Sequence, residues 1–422
     1  MESILLEDNP HWIDKNAYDK FFPRRVLPKA LKLVKTKEIL AILGARRVGK
    51  STLAKLIIKK LLDEVNPKNI FFINLEKPEF IPYKNDPTYL EKIYKSYIKL
   101  ANPNLKERIY FFLDEVQIFK NWEVFVKSKY ENSNIKFIVT GSNSSLLESN
   151  YATLLTGRVI KLQLYPFNFL EILEYKNISF NSKLEQVANK IEIQRAKDEY
   201  LQWGGYFSVI STKDEFIKKE YLKNIAEDII LKDIVPRYRI KNSNEIKDLF
   251  FYVVSNATSY LNYSKLSKKI GIDAKMIKEY IEYFKSNYLI STISEYHNKV
   301  TMQIKSTKKL YLNDNGFLNL GIKRAKNQGV MLENGVFITL AQAFREVYYL
   351  KEKKEIDFVV GDFLIQVAFD IEDEQTRKRE LEAFKEYKGK KILITYERDE
   401  IFEDIEIISF ENFIFKYCID LI

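Results

Sequence analysis

The sequence predicts an α/β protein whose leading domain is a parallel sheet with helices on both faces. Two observations predict it. Short apolar runs recur at 38–43, 70–75, 109–113 and 137–140, and stretches with helical apolar spacing separate them. Strands that alternate with helices are the pattern of a sheet built from crossover units. At 422 residues, 46% hydrophobic and 14% aromatic, the chain also has material for more than one core, so about two to four domains are expected.

Residues 1–34 carry Pro10, Pro23 and Pro28 and read as an irregular leader. Glu38-Ile39-Leu40-Ala41-Ile42-Leu43 is a buried-strand pattern that runs into a glycine-bearing loop. Leu53, Leu56, Ile57 and Leu61 follow at helical spacing. Ile70–Leu75, Ile109–Leu113, Phe137–Thr140 and Val159–Leu164 supply four further strands, which closes a domain at 35–167. Residues 168–240 turn helical, interrupted by Trp203-Gly204-Gly205-Tyr206. Residues 241–310 hold three helical segments and then a polar hairpin-like stretch, and 311–422 return to mixed β and α. There is no internal repeat and no low-complexity segment.

Composition narrows the function classes. No apolar run reaches the length of about 18 residues that a spanning helix needs. Met1-Glu2-Ser3-Ile4-Leu5-Leu6-Glu7-Asp8 is acidic and lacks a basic-then-apolar signal, so a cytoplasmic chain without a membrane partner is expected. One cysteine, Cys418, excludes an internal disulfide, and His11 and His297 alone offer little to zinc. A net charge of +10 is a modest basic excess that suits nucleic-acid contact without requiring it. High Lys, Glu, Ile and Tyr fit a heat-adapted source, as codon bias also would.

The motif that carries chemistry is Gly44-Ala45-Arg46-Arg47-Val48-Gly49-Lys50-Ser51. Placed after a strand and before a helix, it is a P-loop. Its glycines allow a tight turn whose N–H groups surround phosphates, and the helix start adds its positive end. Residues Gly44 to Thr52 are therefore the expected ATP-contacting set. Lys50 would reach the β and γ phosphates and Ser51 would hold Mg2+.

Tyr110-Phe111-Phe112-Leu113-Asp114-Glu115 is an apolar strand ending in two carboxylates. Asp114 is expected to hold Mg2+ beside Ser51, and Glu115 to orient and deprotonate the attacking water. Thr140-Gly141-Ser142-Asn143 closes the next strand. Asn143 or Ser142 is a candidate for the γ-phosphate or the water, and a helix cap at Ser144-Ser145-Leu146-Leu147 is the plain alternative. Hydrolysis also needs positive charge on the transferring group. Arg158 is the first candidate for that finger, in cis or from a neighbouring subunit, with Arg24, Arg25 and Arg237 open.

Ala274, Ile277, Ile281, Phe284 and Tyr288 form one apolar helix face. With the short helix around Leu261–Ile270 before it and a hairpin at Ser291–Tyr311 after it, the segment reads as helix-turn-helix with a wing. Lys268, Lys269, Lys275, Lys278 and Lys285 would face DNA phosphates, with Glu279 and Glu282 opposing. Packing or protein contact is the alternative use.

Taken in order, the P-loop, Leu-Asp-Glu-Val-Gln, Thr-Gly-Ser-Asn-Ser-Ser-Leu-Leu and Thr-Gly-Arg resemble one family. It is the prokaryotic, mostly archaeal, AAA-superfamily ATPases in which a P-loop domain precedes a winged-helix segment and a restriction-endonuclease-like domain. Trp122, Gly204-Gly205-Tyr206-Phe207 and Asp228–Ile234 match it too, so the resemblance covers about residues 24 to 385. It implies ATP rather than GTP, since no Asn-Lys-x-Asp motif is present. It also implies a nuclease-like fold for 311–422, where an Asp and a Glu-x-Lys would hold Mg2+. Here Glu333 and Asp357 are present, but Gln366 and Ala368 stand where that pattern has Glu and Lys. A degenerate domain without nuclease activity is expected. The resulting expectation is a Mg2+-dependent ATPase whose nucleotide state controls contact with double-stranded DNA. The alternative is an ATP-driven regulatory or assembly switch on protein partners, and a homo-oligomer stays open.

Overall fold

A computed structural model describes residues 1–144, 152–321, 327–352 and 354–422. The chain forms two compact units, Met1–Leu164 and Tyr165–Ile422, and is of the α/β class.

In the first unit α1 (Glu2–Asp8) and α2 (Leu27–Val34) precede β1 (Ile39–Leu43), α3 (Lys50–Leu61), β2 (Ile70–Asn74) and α4 (Tyr89–Ala101). Then follow β3 (Ile109–Asp114), α5 (Trp122–Asn132), β4 (Ile135–Gly141) and β5 (Val159–Gln163). Among the described residues the strands form one parallel sheet in the order β2-β3-β4-β1-β5. Every residue of β1 and β4 is buried, as strands covered on both faces require. Because β4 lies between β1 and β3, the loops leaving these three strands meet at one carboxyl edge, where ligands bind in open sheets of this kind.

The stretch 1–34, expected to be irregular, is an ordered part of this unit. Asn9 exchanges two hydrogen bonds with the backbone of Phe72, at 2.8 and 2.7 Å. His11 Nε2 and Trp12 Nε1 both lie against Ile70 O, at 3.0 and 2.9 Å. β2 is the edge strand, and these side chains occupy backbone groups that an edge leaves open. Burial lowers the His11 pKa to about 4, against the smaller opposite effect of its bond to Ile70 O, so the ring is neutral near pH 7. Pro10 and Pro28 sit in the first turn of short helices, where the missing N–H would have had no intrahelical partner.

The second unit opens with α6 (Phe169–Tyr175), α7 (Lys183–Ala188), α8 (Lys190–Trp203), α9 (Phe207–Ile210), α10 (Glu215–Asp228) and α11 (Val235–Tyr238). Capping boxes of Asn168 with Glu171 and Ser182 with Glu185 start α6 and α7; such a cap contributes about 1 kcal/mol. The Gly204–Gly205 turn after α8 lies on Asp314, whose carboxylate accepts the N–H of Gly205 at 2.8 Å. A Cβ on Gly204 would meet that carboxylate at 1.9 Å, so the glycine is a steric requirement.

Next come α12 (Ser243–Ser255), α13 (Tyr263–Ile270), α14 (Ala274–Ser286), β6 (Ile290–Glu295), α15 (Val300–Lys305), β7 (Lys309–Leu312) and α16 (Gln328–Ala343). The chain ends with β8 (Tyr348–Lys351), β9 (Glu355–Val360), β10 (Phe363–Val367), α17 (Glu374–Ala383), β11 (Lys390–Thr395), β12 (Glu400–Phe402), β13 (Ile405–Ser409) and α18 (Phe410–Phe413). The expected hairpin is the antiparallel pair β6–β7, with α15 inserted between its strands. β6 also pairs in parallel with β8. Among the described residues one mixed sheet therefore runs β12-β13-β11-β10-β9-β8-β6-β7. The expected boundary at 310/311 falls inside β7 of that continuous sheet.

Candidate nucleotide site

The loop between β1 and α3 is shaped by its glycines. A Cβ on Gly44 would stand 2.3 Å from Leu164 O, and Gly49 has φ +96°. Arg47 also takes a positive φ, 66°, so the loop backbone doubles back before α3 begins at Lys50. From below, the buried Arg24 donates to Val48 O at 3.0 Å. That contact places Arg24, one of the open finger candidates, as a brace of the loop. Ala45 and Val48 are buried, Arg46 pairs with Glu76 at 3.0 Å, and Ser51 and Thr52 open α3 half-buried.

Lys50 is almost completely buried. Its ammonium donates to Ala45 O at 3.1 Å and lies 3.3 Å from Glu115 Oε1. Asp114 ends β3 and is buried; its Oδ1 accepts the Thr140 hydroxyl at 2.6 Å, and it is hydrogen-bonded to Ser51. Burial and then the Glu115 charge push Asp114 up to about 6, against the Thr140 and Ser51 hydrogen bonds. Burial acts the same way on Glu115, but Lys50 and the Gln117 amide outweigh it and hold Glu115 below the usual carboxylate range. Neighbouring carboxylates are thus driven apart in pKa, one toward protonation and one toward permanent charge.

Thr140 and Gln117 stand inside the strings Thr140-Gly141-Ser142-Asn143 and Leu-Asp-Glu-Val-Gln, but motif reading assigns neither of them a role. Thr140 donates to Asp114 and accepts the N–H of Glu115 at 2.9 Å, which fixes both carboxylates relative to β4. Gln117 donates to Glu115 Oε2 at 2.6 Å and to Ser142 Oγ at 3.3 Å. Neither belongs to a contiguous motif with Lys50, and only the strand order makes them neighbours of the loop.

Asn143 and Ser142 are buried at the end of β4, on the same edge as the loop. The cap expected at Ser144-Ser145-Leu146-Leu147 lies, after Ser144, outside the described residues. Arg158 is not brought to that edge. It precedes β5, whose Val159 pairs with Ile39 at the amino end of β1. Its guanidinium is held by Leu154 O at 2.8 Å and Glu131 at 3.0 Å. The five residues of β1 separate it from its own loop, roughly 13 Å along the strand, which corrects the expectation that it could act in cis. Arg25 lies beside Arg24 in the first unit, and Arg237 lies on α11 of the second.

The donor set fits a nucleoside triphosphate with its cation. The loop offers backbone N–H groups, Lys50 a buried ammonium, and Ser51 with Asp114 the oxygen ligands that a small hard cation takes.

Residues 36–173 match the AAA domain family, and 194–327 match a domain of unknown function. An uncharacterized protein of Methanocaldococcus jannaschii is 33% identical over 404 residues, which span 91% of this chain and 87% of that protein. An uncharacterized protein of Haemophilus influenzae is 30% identical over 397 residues, 90% of this chain and 95% of that one. Among solved structures, the Walker-type ATPase paby2304 of Pyrococcus abyssi is similar over 72% of this chain and 96% of its own, at 17% identity and a TM-score of 0.40. Among the described residues no helix is long and apolar enough to cross a membrane. The chain belongs to the family of these archaeal and bacterial relatives, and its own residues 36–173 carry the match to the AAA domain.

Proposed function

We propose that the chain hydrolyses ATP at this loop and that nucleotide state governs contact between its C-terminal half and double-stranded DNA. The observation that carries the reading is the convergence of Lys50, Ser51, Asp114 and Glu115 at one sheet edge. Gly44 to Thr52 cradle the phosphates, and Lys50 exchanges its carboxylate partner for a phosphate oxygen. Ser51 and Asp114 would hold a Mg2+, which would supply charge neutralisation to the phosphates. Glu115 takes a proton from water as the water oxygen bonds to the γ phosphorus and the bond to the departing ADP oxygen breaks. Asn143, at the end of β4, orients that water or the γ-phosphate.

For the coupled partner, α12–α14 with β6 and β7 are read as a winged helix. Lys268, Lys269, Lys275 and Lys278 are exposed on α13 and α14, whereas Lys285 is paired with Glu282 at 2.9 Å. The nuclease-like region is read as inactive. Lys309 lies 3.4, 2.7 and 3.3 Å from Glu333, Glu355 and Asp357, and Gln366 bonds Glu380 and the N–H of Asp357. An ammonium at the centre of the carboxylates supports a site that no longer takes a metal.

The second reading, a switch driven by self-association, is favoured by Arg158. Placed at the far edge from its own loop, it would serve the loop of another copy. ATPase rate with and without duplex DNA, across salt and protein concentration, separates the two. Stimulation by DNA that fades at high salt supports the first. A rate that rises only with protein concentration supports the second.

A further inference from the structure

Gln117 lies in the turn Val116–Ile118 that follows Glu115. Its amide nitrogen donates to Glu115 Oε2 and to Ser142 Oγ, at 2.6 and 3.3 Å. Its carbonyl Oε1, in contrast, is buried without a hydrogen-bond partner, and among the described residues it alone is so. Leaving such a carbonyl unpaired forfeits its hydration without a replacement bond. Turning the amide over would set Oε1 against the Glu115 carboxylate, so the unpaired carbonyl is the consequence of donating to Glu115.

Both oxygens of Glu115 are therefore engaged, Oε1 by Lys50 and Oε2 by Gln117. The two partners differ in kind. Lys50 begins the helix after the P-loop and has a competing phosphate to meet, whereas Gln117 is anchored to Ser142, the residue that follows β4. Glu115 itself takes a positive φ of 54°, a conformation a non-glycine residue adopts under local constraint, so its side chain leaves the turn in a direction the backbone alone would not favour.

We infer that Gln117 is a positioning residue. It holds Oε2 of Glu115 and ties it to the end of β4, so that Oε1 is the oxygen presented to water once Lys50 turns to a phosphate. This rests on the reading of Glu115 as the base. A base held at one oxygen keeps its carboxylate plane, and a misplacement of about 1 Å is enough to cost on the order of a hundredfold in rate.

The test uses the full chain as wild type, Gln117→Met, Glu115→Gln and the double variant. Methionine keeps the length of the side chain and removes its donor. Steady-state ATP turnover and the affinity for a fluorescent ATP analogue are measured on each. Gln117→Met should lower kcat about tenfold or more while KM and analogue affinity stay within about twofold. In the double variant the Gln117 change should add nothing to the loss already caused by Glu115→Gln, because the amide acts only through that carboxylate. Gln117→Leu, which also removes the donor, should give the same loss of kcat at constant KM, and it is the deciding variant if Gln117→Met does not fold; wild-type kcat there would overturn the inference equally. Wild-type kcat in Gln117→Met, or losses that multiply in the double variant, would overturn the inference and leave the ATPase reading standing. A wild-type chain that binds the analogue but never turns over ATP overturns both.

Discussion

Lys50 and Glu115 form an ion pair 3.3 Å long within the first unit, between the start of α3 and the end of β3. The cation expected to meet a phosphate and the carboxylate expected to activate water neutralise each other there. Burial alone would raise the Glu115 pKa, yet Lys50 and Gln117 keep it lowered. On the proposed function, a phosphate arriving at Lys50 would displace a charge partner and free Glu115 in the same event.

Replacing Lys50 by Ala should remove tight nucleotide binding. The buried ammonium donates to Ala45 O and lies against Glu115. Losing its charge-assisted bonds costs about 3 kcal/mol, roughly a hundredfold in Kd. Titration of the variant with a fluorescent ATP analogue reads this directly, and unchanged affinity would sink the site assignment.

Glu115→Gln should separate binding from turnover. The amide keeps the size of the side chain and leaves the Glu115 N–H on Thr140, but it cannot accept a proton from water. General bases contribute about a hundredfold to ten-thousandfold, so ATP is retained while hydrolysis slows by a factor in that range. Near-normal turnover in a phosphate-release assay would remove Glu115 as the base.

How much of this site is readable beforehand depends on whether a relationship is local in the chain. Gly44 to Ser51 is a contiguous string with fixed spacing, and Asp114-Glu115 ends an apolar run, so both are legible as sequence. Thr140 acts on Asp114 and Glu115 only because β4 is inserted between β1 and β3, and periodicity carries no strand order. Arg158 is a different case: it precedes a strand of a parallel sheet, so its place at the amino end, away from the loop, follows from the strand start at Val159. In the leader, Asn9, His11 and Trp12 bond to the backbone of β2, a role that depends on β2 being an edge. The sheet shared by β6, β7 and β8 hides for a similar reason, since β6 and β8 are joined through a long intervening stretch.

Asp314 gives the second unit a pH dependence of definite sign. Burial pushes its carboxyl up to about 7, although the N–H groups of Gly205 and Gly316 pull the other way. Tyr200 and Tyr206 lie in its field, both raised further above their usual range by burial first and then by this charge, so they remain neutral. With the folded value above the unfolded one, the native state binds the proton more tightly. Its contribution is complete below about pH 4 and is lost as pH rises through about 7. Asp357, also pushed up to about 7 by burial and the Glu333 charge, adds with the same sign. In urea denaturation from pH 8 to pH 5, Asp314 should add stability, whereas buried His11, with its lowered pKa, works in the opposite direction. Asp314→Asn should be less stable throughout, because its NH2 opposes one of the two N–H donors, and its pH slope should be shallower. Equal slopes in the two proteins would refute the assignment.

Lys309 supplies the last prediction. Its side chain is 4% exposed and faces Glu333, Glu355 and Asp357, while Tyr311 donates to Glu333 at 2.9 Å and Tyr260 donates to Glu355 at 2.7 Å. Burial opposes the charge on Lys309, but the three carboxylates outweigh it and raise its pKa. The ammonium thus does for this cluster what a bound cation would do elsewhere. Removing one partner of a buried charge cluster leaves the others uncompensated, at a cost of about 3–5 kcal/mol. Lys309→Met should therefore lower the urea midpoint clearly at pH 8, and less at pH 5, where protonation of Asp357 relieves the repulsion. The intact cluster also predicts that the wild type leaves plasmid DNA uncut in Mg2+ or Mn2+. Robust cleavage that disappears in Asp357→Ala would show that the carboxylates hold a catalytic metal despite Lys309, and the inactive reading of this region would fall.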